Sequence, residues 1–314
     1  MHVAVIGTGN VGRSIAFSIL ASGVADELTL VDTKPGLARA VGEELRHAAA
    51  AFRLDTRVEW FERDEDVSGA DIVIVSAGYP RLPGQRISRR DLAGKNAEII
   101  KYVAEVVPPH NRGARYVIVT NPVDAMATLF RRVSRESFII STGDSLETQR
   151  FRAKLAADLG VPVTSVTAYV GGEHGENAVM LWSTVAIDGT PLDEWLQSSG
   201  KTLDRGGVEA YVKSVSRYII EYAGATRFGP AATFTEIVKS IALDERRVIS
   251  IATPRKFPSV PEEVFVSVPT VVGRSLGPDL MDRLTEGEVR GLEEAAEAIY
   301  RTYLNALKAV GLEG

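Results

Sequence analysis

The chain has no cysteine, only four histidines and no surplus of positive charge, and each shortage closes off a class of function. Without cysteine there is no disulfide, no thiolate nucleophile and no cysteine-ligated metal. His2, His47, His110 and His174 are too few for a histidine-rich metal centre, so no metal is expected. A formal net charge of -5 is the opposite of the basic stripe that nucleic-acid binding requires, which leaves small molecules or other subunits as the expected partners. No long apolar run and no basic leader precede the first strand-like segment, so no membrane span or secretion signal is read, and the cytoplasm is the expected compartment. Low-complexity blocks and internal repeats are also missing. What remains is 314 residues of ordinary globular composition, 45% hydrophobic and 25% charged, long enough for two packed lobes.

Residues 2–6 are an apolar run that ends in a glycine-rich turn, and 11–20 reads as a helix. Residues 27–31 read as a second strand ending at Asp32, 37–51 as an alanine-rich helix, and 57–61 as a short strand. The segments 71–76 (DIVIVS) and 116–120 (YVIVT) are apolar on both faces, as parallel strands covered by helices are. Between them, 92–107 reads as a helix stopped by Pro108 and Pro109. This alternation implies an α/β fold with a Rossmann-type, doubly wound parallel sheet. After 138–141 the pattern changes. A helix is expected at 146–159 and strands at 165–170 and 180–187, with a hairpin turn at Ile187, Asp188 and Gly189. The rest reads as mostly helical, at 209–223, 231–243 and 286–310. An α+β domain therefore follows the parallel one, with domains at 1–141 and 142–314.

Gly7, Gly9 and Gly12 form GTGNVG after the first strand and open the first helix. Such a turn is ordinary in itself, but Asp32 ends the next strand about twenty residues on, where an acid would accept hydrogen bonds from an adenosine ribose. In a dinucleotide site Gly7 permits the tight turn, Gly9 lets the backbone approach the pyrophosphate, and Gly12 permits close helix packing. Asn10 and Val11 complete the cofactor turn. Asp32 repels a 2'-phosphate, so NAD is expected as the cofactor and 1–141 as its domain.

Other candidates each have two readings. The loop YPRLPGQRISRRDL carries Arg81, Arg86, Arg89 and Arg90, and reads either as solvated surface or as a grip for substrate carboxylates. His174, in GGEHGEN, is either packed or a proton carrier, and its glycine neighbours offer little to pack against. Glu147 and Arg150 lie three apart on one helix side, which suits a plain salt bridge as well as a site. Asn121, in VTNPVD, either starts a turn or lies at the ligand-binding edge of the sheet.

Taken in order, GTGNVG, Asp32, SAGYPR, SRRDL, VTNPVD, ETQRFR and GGEHGEN resemble the lactate/malate dehydrogenase family, and TSVTAYVGGEHGENAVMLWS is most similar to its malate-specific, lactate-dehydrogenase-like branch. The resemblance implies NAD-dependent interconversion of malate and oxaloacetate, with L-lactate dehydrogenase and a non-catalytic NAD-binding protein as the alternatives. It implies that His174 is the proton acceptor, oriented by Glu147 where the family has the shorter aspartate. Arg150 would hold the carboxylate next to the reacting carbon, Asn121 would contact substrate and nicotinamide, and Asn96 and Val119 would contact the cofactor. Arg81 stands at the position that reads a second carboxylate. The lid has two extra residues, so the carbonyl-polarising arginine is Arg89 when counted from SRRDL, while counting from Pro83-Gly84 reaches Ile87 beside Arg86. The firmer register of the following helix favours Arg89, leaving Arg86 and Arg90 solvated. A homodimer or homotetramer is implied, with no nucleic acid or membrane as partner.

Overall fold

The computed structural model describes residues 1–79 and 89–312, the side chains of 89–91 excepted. Its first half runs β1 (His2–Ile6), α1 (Asn10–Ser22), β2 (Glu27–Val31), α2 (Leu37–Phe52), β3 (Arg57–Phe61), β4 (Ile72–Val75), α3 (Arg89–Val106), β5 (Arg115–Ile118), α4 (Val123–Ser134) and β6 (Ile139–Ser141). These six strands lie in the order β3-β2-β1-β4-β5-β6, all parallel. Side chains alternate across a strand, and here both faces must be apolar because both are covered by helices. In β1, Ala4 and Ile6 join a core that includes Ile100 of α3 and Phe130 of α4, while Val3 and Val5 join one that includes Ile19 of α1 and Leu45 of α2. The winding reverses between β1 and β4. That reversal opens a crevice at the carboxyl ends of the strands, where such sheets take their ligands.

The second half contains α5 (Ser145–Leu159), β7 (Val166–Gly172), β8 (Ala178–Ile187), β9 (Thr190–Pro191), α6 (Leu192–Ser199), α7 (Arg205–Ala223), α8 (Phe228–Ala242), β10 (Arg247–Arg255), β11 (Val264–Val272), β12 (Leu276–Asp279) and α9 (Glu286–Ala309). It extends the same sheet in antiparallel fashion through β10, β11, β7, β8 and β9, with β12 beside β11. The seam is a single pairing, Ala252 with Ser141. Ile187 pairs with Thr190, and Asp188 and Gly189 both take positive φ (48° and 82°), which makes the expected tight hairpin turn.

The expectation of a mostly helical remainder is corrected by β10 and β11, which pair along nine residues each. Their sequences, RVISIATPR and VFVSVPTVV, are rich in β-branched residues, which suit a pleated sheet. Pro254 and Pro269 interrupt each run and discourage a strand reading, yet an antiparallel strand donates to a given neighbour only at alternate residues. The buried helix α4 and the short α6 were also absent from the sequence reading.

The first turn is set by steric need. A Cβ on Gly7 (φ 91°) would lie 2.5 Å from the Ala77 backbone, and one on Gly12 would lie 1.9 Å from the Gly7 carbonyl oxygen. A Cβ on Gly9 meets nothing within 4 Å among the described residues. Gly12→Ala is expected to destabilise the chain by roughly 1–3 kcal/mol, the usual cost of overpacking. Gly9→Ala, losing only a glycine N-cap, should cost less than about 1 kcal/mol. Urea unfolding midpoints of the two variants check this, and equal losses would contradict it.

Candidate active site

The carboxyl edge of the parallel half assembles the dinucleotide candidates. Gly9 is the N-cap of α1, and the first intrahelical bond runs from the Arg13 N–H to the Gly9 carbonyl. The N–H groups of Asn10, Val11 and Gly12 precede that bond, so the helix end offers donors to an anion. At the end of β2, Asp32 Oδ2 accepts from the Thr8 N–H (2.8 Å) and hydroxyl (3.1 Å), and Oδ1 accepts from the Lys34 N–H (2.9 Å). The acid is therefore tied to the glycine turn itself. Open space at Gly9, the α1 donors and the fixed carboxylate together fit a dinucleotide.

Past β5, Val119 is half-buried and Asn121 exposed, with a cis peptide between Asn121 and Pro122. Asn96 lies beneath them. Its Oδ1 accepts from the Tyr79 N–H (2.7 Å) and its Nδ2 donates to the Asn121 carbonyl (2.6 Å). Asn96 thus ties the exit of β4 to that of β5, and any cofactor contact would be added to this bridge.

His174 stands in the turn between β7 and β8. Its Nδ1 lies 2.9 Å from Glu147 Oε2, while Glu147 Oε1 accepts from Arg150 Nη1 at 2.7 Å. The intrahelical salt bridge and the histidine contact are both present, one on each carboxylate oxygen, so the extra methylene of glutamate does not break the contact. Backbone ties fix the geometry from two further sides. Thr148, next to Glu147, accepts the Val170 N–H from β7 at 3.0 Å. Asp124 Oδ2 accepts the His174 N–H (2.9 Å), and its Oδ1 accepts from the Ser141 hydroxyl (2.6 Å). Glu147 is buried at 6% exposure, whereas the imidazole keeps 25%, enough for an outside partner.

Burial opposes charge on His174, but the charge and hydrogen bond of Glu147 are the largest pull against it, and the imidazole is pushed up to about 9. Burial would likewise raise Glu147, yet His174 and Arg150 bring it below the ordinary glutamate value. Asp124 is pushed up to about 6 by burial, against the bonds from Ser141 and the His174 backbone. The pair is thus an imidazolium on a carboxylate at neutral pH. With Nδ1 engaged, Nε2 is the atom left to exchange a proton with a ligand. Arg150 has five N–H donors and gives one to Glu147, so donors remain for a planar carboxylate.

The structure therefore brings Glu147, Arg150 and His174 into contact, with Asn121 three residues before Asp124. Arg81 and Arg86 fall on residues 80–88, outside the described residues, and Arg89 opens α3 with its side chain outside them too. Sequence reasoning missed Asp124 and Asp144. Asp124 had a signal: it is the one charge in the run Val123–Phe130, which is buried at every position. Asp144, Glu147 and His174 also have the composition of a cation site, but a cation there would displace the Nδ1 hydrogen bond.

Residues 1–137 match the NAD binding domain of lactate/malate dehydrogenase, and residues 144–305 match the family's alpha/beta C-terminal domain. The chain is 46% identical over 306 residues to a malate dehydrogenase of Sulfurisphaera tokodaii, covering 98% of this chain and 96% of that one. An L-lactate dehydrogenase of Thermus aquaticus is 36% identical, with 95% and 97% covered. The crystal structure of the minor L-lactate dehydrogenase from Enterococcus mundtii superposes with a TM-score of 0.89 at 28% identity, covering 96% and 97%. The chain belongs to the lactate/malate dehydrogenase family, whose NAD-binding domain it carries at its amino-terminal end.

Proposed function

We propose that the chain is a malate dehydrogenase, interconverting malate and oxaloacetate with NAD. The observation that carries this reading is the buried Glu147 carboxylate, which holds both the His174 imidazole and the Arg150 guanidinium beside a dinucleotide crevice. The 46% identity to a malate dehydrogenase over nearly the full chain supports malate over lactate. NAD would supply the two-electron acceptor, with Gly7, Gly9, Asn10, Val11, Gly12 and Asp32 to hold it, Asn96 and Val119 as further cofactor contacts, and Asn121 on the nicotinamide side. Residues 1–141 form the cofactor domain and 142–314 the substrate domain.

In alcohol oxidation His174 Nε2 takes the hydroxyl proton, and Glu147 stabilises the imidazolium that forms. Arg150 grips the carboxylate next to the reacting carbon. Arg81 pairs with the second carboxylate and Arg89 polarises the carbonyl oxygen in the reverse direction. Large apolar side chains left exposed, including Phe17, Tyr218, Tyr222 and Phe228, support a homodimer or homotetramer. Among the described residues no helix is long and apolar enough to cross a membrane. The proposed compartment is the cytoplasm and the proposed pathway the tricarboxylic acid cycle.

With NADH, kcat/KM is expected to be at least ~100-fold higher on oxaloacetate than on pyruvate, since a site built around a second carboxylate leaves Arg81 unpaired with pyruvate. Arg81→Gln should shrink that ratio chiefly by weakening oxaloacetate use. A preference for pyruvate in the native chain would remove malate as substrate. His174→Asn should lower kcat by about 10²–10⁴, the usual worth of a positioned acid–base group. Oxaloacetate reduction needs the imidazolium, so its kcat/KM should fall as pH rises through about 9, while malate oxidation rises over the same range. The sign agrees with stability: the folded value lies above the ordinary 6.5, so the pair's contribution is whole below 6.5 and lost towards 9.

A further inference from the structure

Asp144 has no part in the reaction as derived, yet it stands against its proton carrier. Its side chain is fully buried, and by distance and angle neither carboxyl oxygen has a hydrogen-bond partner among the described residues. One nitrogen or oxygen from each of Asp144, Glu147 and His174 lies within 4.8 Å of the others. The site holds three buried acids, and two of them have donors: Glu147 has Arg150 and His174, and Asp124 has the Ser141 hydroxyl and the His174 N–H. Asp144 has its N–H donating to Ser267 Oγ on β11 at 2.9 Å, and the Ser267 hydroxyl is a weak counter-pull that favours the ionised carboxyl. The charges that reach it are Glu147 on α5, Asp124 on α4 and His174 in the β7–β8 turn. Arg150 donates to Glu147 Oε1, the oxygen that His174 does not use. An acid in a dry interior that faces two like charges resolves its desolvation by keeping its proton.

We propose that Asp144 is a positioning residue, held as a neutral carboxyl group whose O–H donates to the Glu147 carboxylate, so that His174 rests on a proton-sharing carboxyl pair with one negative charge. Burial, then the charges of Glu147 and Asp124, push the Asp144 carboxyl well above the ordinary range, in agreement with the geometry. Each Glu147 oxygen has two lone pairs, so it can accept from Asp144 while keeping His174 and Arg150. The shared proton stays with the pair throughout turnover. Its effect is to draw charge from Glu147 and limit that group's hold on the imidazolium, which leaves His174 able to give its proton up as well as take it. This inference rests on the reading of His174 as the proton carrier.

The test is the pH profile of kcat/KM for malate oxidation in the full chain with NAD. Asp144→Asn keeps a neutral donor, so the midpoint of the acid limb should stay within about 0.3 pH units of the native one. Asp144→Val removes the donor, so the midpoint should rise by about half a unit or more. A fall of a unit or more in Asp144→Asn would mean that native Asp144 is ionised, and an unmoved midpoint in Asp144→Val would mean that it does not touch Glu147. Either result overturns the proposal, as would a tightly bound divalent cation recovered in stoichiometric amount from the native chain. Infrared difference spectra of native protein against Asp144→Asn, read without turnover, should show a protonated-carboxyl stretching band, and its absence would also overturn it. If His174→Asn kept full turnover the proton-carrier reading would fail, and the infrared band would still judge the state of Asp144.

Discussion

The hydrogen bond between Glu147 and His174 Nδ1 is the constraint on which the rest of the site depends. It decides which imidazole nitrogen faces outward, and it holds the charge that forms there. A bond of this kind is useful only if both backbones are fixed. Thr148 joins α5 to β7, and Asp124 joins α4 to the β7–β8 turn, so each end of the pair is anchored through a different element. The same α4 begins at the exit of β5, where Asn96 holds Asn121. Residues 121–124 therefore connect the carboxyl edge of the parallel sheet to His174 in four residues.

The site also lies at the change of sheet type. β6 ends at Ser141, the residue paired with Ala252 across the seam, and its hydroxyl bonds to Asp124. Gly143 follows with φ 46°, and a Cβ there would lie 2.1 Å from Ser267 Oγ, the atom that receives the Asp144 N–H. Chain passing between the two halves is pressed against β11 where the three acids gather. A continuous sheet makes this possible, because it carries the parallel crevice and the antiparallel support in one frame.

The strands of the parallel half were legible in the sequence because they are doubly buried and its first turn carries glycines with steric roles, although α4 was not. The stretches 71–76 and 116–120 could be read as covered strands; β4 lies within the first, and β5 overlaps the second, starting one residue earlier at Arg115. β10 and β11 were not legible, since prolines broke runs whose β-branched content pointed to strands. In the site, Glu147, Arg150 and His174 stood in motifs that resembled a known family, and spacing left the Glu147 and Arg150 alternatives open. Asp144 had no such motif. Its importance comes from three-dimensional crowding: Asp124 lies 20 residues before Asp144, and Glu147 lies three residues after it in the first turn of α5, which no local pattern encodes.

The two readings of Glu147 and Arg150 turn out not to compete. A carboxylate has two oxygens, and at 2.7 Å and 2.9 Å one serves the guanidinium three residues along the helix while the other serves the imidazole 27 residues away. The salt bridge is thereby the means of alignment. It sets the group that would grip a substrate carboxylate and the group that would move its hydroxyl proton from the same carboxyl plane. Displacing α5 would shift both together, so their spacing survives small motions of the helix. This geometry accounts for a charged cluster in a buried position: desolvation of three ions is offset when each strong partner also fixes a direction that the chemistry uses.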